Sequence, residues 1–129
     1  MTLNCLNYKN KGYTDMRNDK VFKGVSFQKY ELAARATASY KDMDYLPLGL
    51  AEECGELVHE YARCKRKGVS MDISALKSEV GDVLWMLALI SYENGFHLEE
   101  AAEDNINKLS ARSVGGTIHQ KQNREITST

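Results

Sequence analysis

Two short acidic patterns, twenty-six residues apart and in the same helical phase, constrain this chain more than any other feature. Glu53 and Glu56 are three residues apart, as are Glu79 and Asp82. On an α-helix that spacing puts both acids of a pair on one face. The surrounding residues repeat the match. Leu50, Glu53, Cys54, Glu56, Leu57 and Tyr61 align with Leu76, Glu79, Val80, Asp82, Val83 and Leu87. On both helical wheels the acids flank the apolar stripe on the same side. Two amphipathic helices joined by a short link fold back antiparallel, and here that brings both acidic pairs to one level. Four carboxylates held together without a cation repel one another and are costly to bury. Around Mg²⁺ or Mn²⁺ they make a hard oxygen site suited to phosphate chemistry.

The rest of the chain reads as helices as well. A first helix is expected from Ser26 to about Tyr40, with Phe27, Tyr30, Ala34 and Ala38 on one stripe. Asp42-Met-Asp44 is a turn, and Pro47 falls in the first turn of the second helix, where a missing N–H costs nothing. That helix runs to Lys67, ending in Lys65-Arg66-Lys67 before Gly68, a basic C-terminus with a glycine stop. Asp72 caps the third helix, which extends to Asn94-Gly95, and the fourth runs from Leu98 to about Arg112. No segment alternates with the period of a strand. The expected fold is an all-α antiparallel bundle of about four helices over residues 26–112, with an N-terminal arm (1–25) and a polar C-terminal tail (113–129).

Charge sharpens the functional reading. The net charge of −1 conceals twelve Asp/Glu against five Lys/Arg in residues 52–104, between two arms that each carry +3. An acidic centre between basic ends suits a metal–polyphosphate ligand and argues against a nucleic-acid partner, which calls for a basic face. Met1–Tyr13 lacks the apolar stretch of a signal peptide, and the longest apolar run, Val83–Ile90, is far short of the roughly 20 residues of a membrane span. Three cysteines without metal-type spacing read as reduced thiols. A cytoplasmic protein without a membrane partner is expected. Val83–Ile90 is apolar nearly all round, more than three small helices can cover, so at least a homodimer is expected too.

At these residues the chain resembles the MazG-like family of all-α nucleoside triphosphate pyrophosphohydrolases. The family pattern Glu-Glu-x-x-Glu, then Glu-x-x-Asp, reads here as Glu52-Glu53-Cys-Gly-Glu56 and Glu79-Val-Gly-Asp82. The similarity runs from about Phe27 to Arg124. It implies hydrolysis of an NTP or dNTP to the monophosphate and pyrophosphate, with Mg²⁺ (or Mn²⁺) as cofactor and dGTP one candidate substrate. It also implies roles: Glu53, Glu56, Glu79 and Asp82 as metal ligands, and Glu52 as a further ligand or the group that orients water. Lys108 and Arg112 match a Lys and an Arg of the family's following helix. The family's closing Gly-x-Ile-x-Gly-x-Gly-Asp-x-Arg-like segment is only partly matched. Gly116 and Ile118 are kept, the later glycines and the Asp are replaced, and Lys121 and Arg124 offer positive charge there for phosphate.

Several residues carry two readings. Asn105, on the apolar stripe of the fourth helix, either contacts the nucleoside or bonds a neighbouring backbone. Trp85, set away from the main stripe of the third helix, serves a subunit interface, a base-stacking wall or simple packing, with packing favoured. Phe27, Gln28 and Tyr30 line a base pocket or, for the two aromatics, belong to the core. His59 and His97 are expected at the surface. Glu56-Leu-Val-His59 also has the Glu-x-x-His spacing of di-iron carboxylate bundles, an alternative class. The second acidic pair lacks the matching His, so all-oxygen ligation of Mg²⁺ or Mn²⁺ is the better fit. A phosphoribosyl-ATP pyrophosphohydrolase-like enzyme is the alternative closer to the resemblance.

Overall fold

The computed structural model describes residues 24–114. Four helices follow in order: α1 (Phe27–Thr37), α2 (Tyr45–Lys67), α3 (Ile73–Glu93) and α4 (Leu98–Val114). Among the described residues there is no strand, and no helix is long and apolar enough to cross a membrane. The expected arm and tail lie outside the described residues, apart from 24–25 and 113–114.

Local chemistry sets the helix ends. Ser26 Oγ accepts the Lys29 N–H at the start of α1. Asp42 Oδ1 accepts the Asp44 N–H in the turn before α2. Asp72 Oδ1 accepts from both Ser74 and Ala75 at the start of α3. Gly68 closes α2 in the left-handed region at φ 62°, a conformation that a side chain disfavours. The first helix ends at Thr37, three residues earlier than the stripe suggests. Thr37 Oγ1 bonds back to the Ala34 carbonyl and receives the Trp85 indole N–H at 2.9 Å. Residues 38–40 then leave the helix, and Tyr40 stacks on Tyr45 with ring centroids 5.6 Å apart.

Helix α3 is the centre of the molecule. Its Met86, Ala88 and Leu89 are buried together with Ala34 of α1 and Leu46 of α2. Helix α2 lies along one side of α3, while α1 and α4 approach it elsewhere and approach each other. Trp85 is accounted for by packing: it is half-buried against the core and bonded to α1. Of the apolar run 83–90 only Leu87 is left exposed, at 37%. Apolar side chains are more exposed on α4, which buries no residue and leaves Ile106 62% exposed, and on α2, where Leu48 is 70% exposed.

Candidate active site

Acids of the two pairs meet where α2 packs along α3. Gly49, one turn before Glu52 and Glu53, is buried against Met86; a Cβ there would lie 2.4 Å from Met86 Cε. The sequence carried a hint of this, a glycine in an otherwise regular helix, but nothing in it named Met86 as the partner. One turn further along, Glu53, Glu56 and Glu79 each present a carboxylate oxygen, and the three lie within 4.8 Å of one another. Glu53 and Glu79 are half-buried and Glu56 is exposed. Asp82 and Glu52 are exposed. Asp82 is close enough for its charge to act on both Glu53 and Glu79, and Glu52 acts on Glu53.

The electrostatics are those of crowded carboxylates. Burial, then the charges of Asp82, Glu56, Glu52 and Glu79, holds the Glu53 carboxyl above its ordinary value. Glu79 is raised by burial first and then by Glu56 and Asp82. Oε2 of Glu79 is buried and, among the described residues, has no donor pointed at it. The neighbouring Glu56 carboxyl is acidic too, and a bond between the two requires one to keep a proton. A divalent cation meets the same need without the proton. Oxygens on one Mg²⁺ at about 2.1 Å are at most about 4.2 Å apart, so the trio needs only a small contraction, which exposed Glu56 can supply. The donors are all oxygen. His59 is exposed and lies outside this group, which leaves the di-iron reading without its nitrogen ligand.

Tyr30 packs against the core, as its stripe implies, and its hydroxyl end also borders the same site. Its hydroxyl faces the Gly81 carbonyl at 3.5 Å, and burial and the charge of Asp82 raise its pKa. Phe27 and Gln28 are exposed. The cationic residues are placed differently. Asn105 and Lys108 are exposed and Arg112 half-buried on α4, a helix that approaches α1 and α3 but, among the described residues, not α2. Lys121 and Arg124 lie outside the described residues.

No solved structure matches this chain. The chain is 29% identical over 102 residues to the Gene 37 protein of Mycobacterium phage L5, an alignment covering 69% of this chain and 90% of that protein, whose name states no activity. The family model for the MazG nucleotide pyrophosphohydrolase domain matches residues 42–115, a span that holds all four helical acids, their close-packed hairpin and α4. The chain therefore belongs to the MazG nucleotide pyrophosphohydrolase family.

Proposed function

We propose that this hydrolase converts a nucleoside or deoxynucleoside triphosphate to the monophosphate and pyrophosphate, using a divalent cation. The observation that carries the cation is Glu79 Oε2, buried inside a group of three carboxylates with no hydrogen-bond partner among the described residues. Glu53, Glu56, Glu79 and Asp82 would hold Mg²⁺ or Mn²⁺. When bound, such an ion lowers the pKa of coordinated water and offsets charge on the phosphates. Glu52, one residue from Glu53 and rotated by about 100° on the helix, orients the attacking water and accepts its proton. The water oxygen bonds to phosphorus at one end of the α–β bridge, and the bridging oxygen leaves with the electron pair. Lys108 and Arg112, with Lys121 or Arg124 from the tail, hold the outer phosphates, which the acidic group alone would repel. Asn105 contacts the nucleoside.

Assembly belongs to the same reading. An amphipathic α4 with no buried residue is better covered in a homodimer or homotetramer than in a lone chain, and the proposed setting is cytoplasmic. The reaction is tested by following a dNTP with Mg²⁺ by ³¹P NMR. Pyrophosphate and monophosphate are expected as first products, and orthophosphate would overturn the proposal. A panel of bases and sugars, with dGTP and phosphoribosyl-ATP included, names the substrate.

A further inference from the structure

Glu31 of α1 is a carboxylate with both oxygens committed to another part of the chain. Its side chain is only 12% exposed, and Oε2 lies 3.0 Å from His97 Nδ1. Oε1 accepts the backbone N–H of Leu98, the first residue of α4. The His97 N–H donates to Glu100 Oε2 at 3.1 Å, and the His97 carbonyl accepts from Ala101. His97 thus sits at the capping position of α4, and a side chain from a different helix satisfies one of the first-turn N–H groups that the helix itself leaves unpaired. Among the described residues α4 buries no residue, and Leu98 is the side chain it packs partly against the core.

That attachment has leverage. Lys108 and Arg112 lie ten and fourteen residues beyond Leu98, about 15 and 21 Å along the axis. A tilt of about 10° at the attachment moves a group 15 Å away by roughly 2–3 Å, and catalytic geometry is sensitive to about 1 Å. We propose that Glu31 and His97 form a clasp that sets the angle of α4 and so the reach of Lys108 and Arg112 toward the substrate phosphates. They are positioning residues, and the proposal rests on the reading that those two cations hold the phosphates.

The clasp responds to pH. His97 faces Glu31 from α1 and Glu99 and Glu100 from α4; Arg35 of α1 and Tyr92 of α3 line the same cavity of about 450 Å³. The bond to Glu31 and then its charge raise the His97 pKa above the ordinary 6.5, against a lowering by burial. A raised value means that the protonated ring strengthens the clasp at low pH, and that this contribution is lost as pH rises through the folded value. The neutral ring still donates from one tautomer, so the clasp loosens without opening.

The test compares KM and kcat of wild type, Glu31→Gln, His97→Asn and Lys108→Ala between about pH 6 and pH 9, using whichever dNTP is turned over. His97→Asn keeps a neutral donor and removes the titration. Glu31→Gln should raise KM roughly tenfold with kcat nearly unchanged. Wild-type KM should climb with pH, while His97→Asn holds a raised, flat KM. If Lys108→Ala raises KM but both clasp variants behave as wild type, the clasp is wrong and the role of the cations stands. If Lys108→Ala leaves KM unchanged, the cation reading fails and the clasp's role in substrate binding fails with it. Hydrogen exchange of the α4 amides in Glu31→Ala, which removes both bonds where Gln could keep them, then still reads the attachment: unchanged exchange would remove it altogether. Should Glu31→Gln not fold, His97→Asn, which leaves the Leu98 bond intact, carries the same comparisons.

Discussion

The α2–α3 hairpin and α4 are built by opposite means. In the hairpin, apolar packing places the charges: Gly49 seats against Met86, Leu46 and Leu89 close the core, and the acids follow one turn on. In α4 the order is reversed, and a polar contact from Glu31 fastens a helix that buries nothing. Carboxylates that must converge against their own repulsion need a rigid frame. Cations that must meet a long, flexible triphosphate are better served by an adjustable one. The hairpin should therefore be intolerant of change and α4 tolerant, until substrate is present.

The largest effects should come from the acids. Asp82→Asn and Glu56→Gln should each weaken metal binding and lower turnover by about a hundredfold or more. The metal-free proteins should be no less stable than wild type, because carboxylate repulsion is relieved. Calorimetric titration with Mn²⁺ checks the first half, and metal affinity unchanged in both variants would end the assignment. Next comes Gly49→Ala. The added methyl meets a buried Met86, and overpacking of this kind costs about 1–3 kcal/mol. Thermal unfolding should show that loss, with metal affinity falling alongside because the acids move with the helix. Full stability in Gly49→Ala would show the hairpin to be less rigid than its packing suggests.

The hairpin is also the part most legible in sequence. Its caps, its glycine stop and the phase of the acids depend on neighbours three or four residues away, which a single chain displays. What stays hidden depends on distant pairs. Trp85 finds Thr37, Tyr30 finds Gly81, and Glu31 finds His97, and none of these meetings leaves a periodic trace. The stripe overruns the end of α1 for the same reason, since Tyr40 continues it but is drawn off toward Tyr45 and Glu93. A surface position for His97 is correct as to exposure and silent on its partner. The sequence puts the exposed apolar surface on α3, whereas α1 and α2 leave that helix better covered than α4.

A smaller effect links metal to pH. Glu53 and Glu79 have folded pKa values raised above the ordinary 4.5. Such groups contribute stability that is complete below the unfolded value and is lost as pH rises through the folded one. The metal-free protein should thus lose this contribution above about pH 4.5, and Glu79→Gln should be spared part of the loss. A bound divalent cation removes the penalty, so Mg²⁺ should raise the melting temperature more at pH 8 than at pH 5. An equal rise at both values would detach the ion from these two carboxyls.

The smallest expected effect on the fold is at Ile106. In a lone chain this side chain is 62% exposed, so Ile106→Ser removes almost no buried area and should change stability by less than about 0.5 kcal/mol. The same substitution would be felt if α4 lies against a second copy, because then the isoleucine loses contact only on dissociation. The two cases separate by concentration. Light scattering of wild type at micromolar concentration should give a dimer or tetramer, and Ile106→Ser should shift it toward monomer with helix content unchanged by circular dichroism. A wild type that stays monomeric would leave the exposed face of α4 to solvent. An Ile106→Ser variant that assembles as well as wild type would place the interface elsewhere, with Val58 and Tyr61 on the outer face of α2, 60% and 51% exposed, as the next surface to substitute.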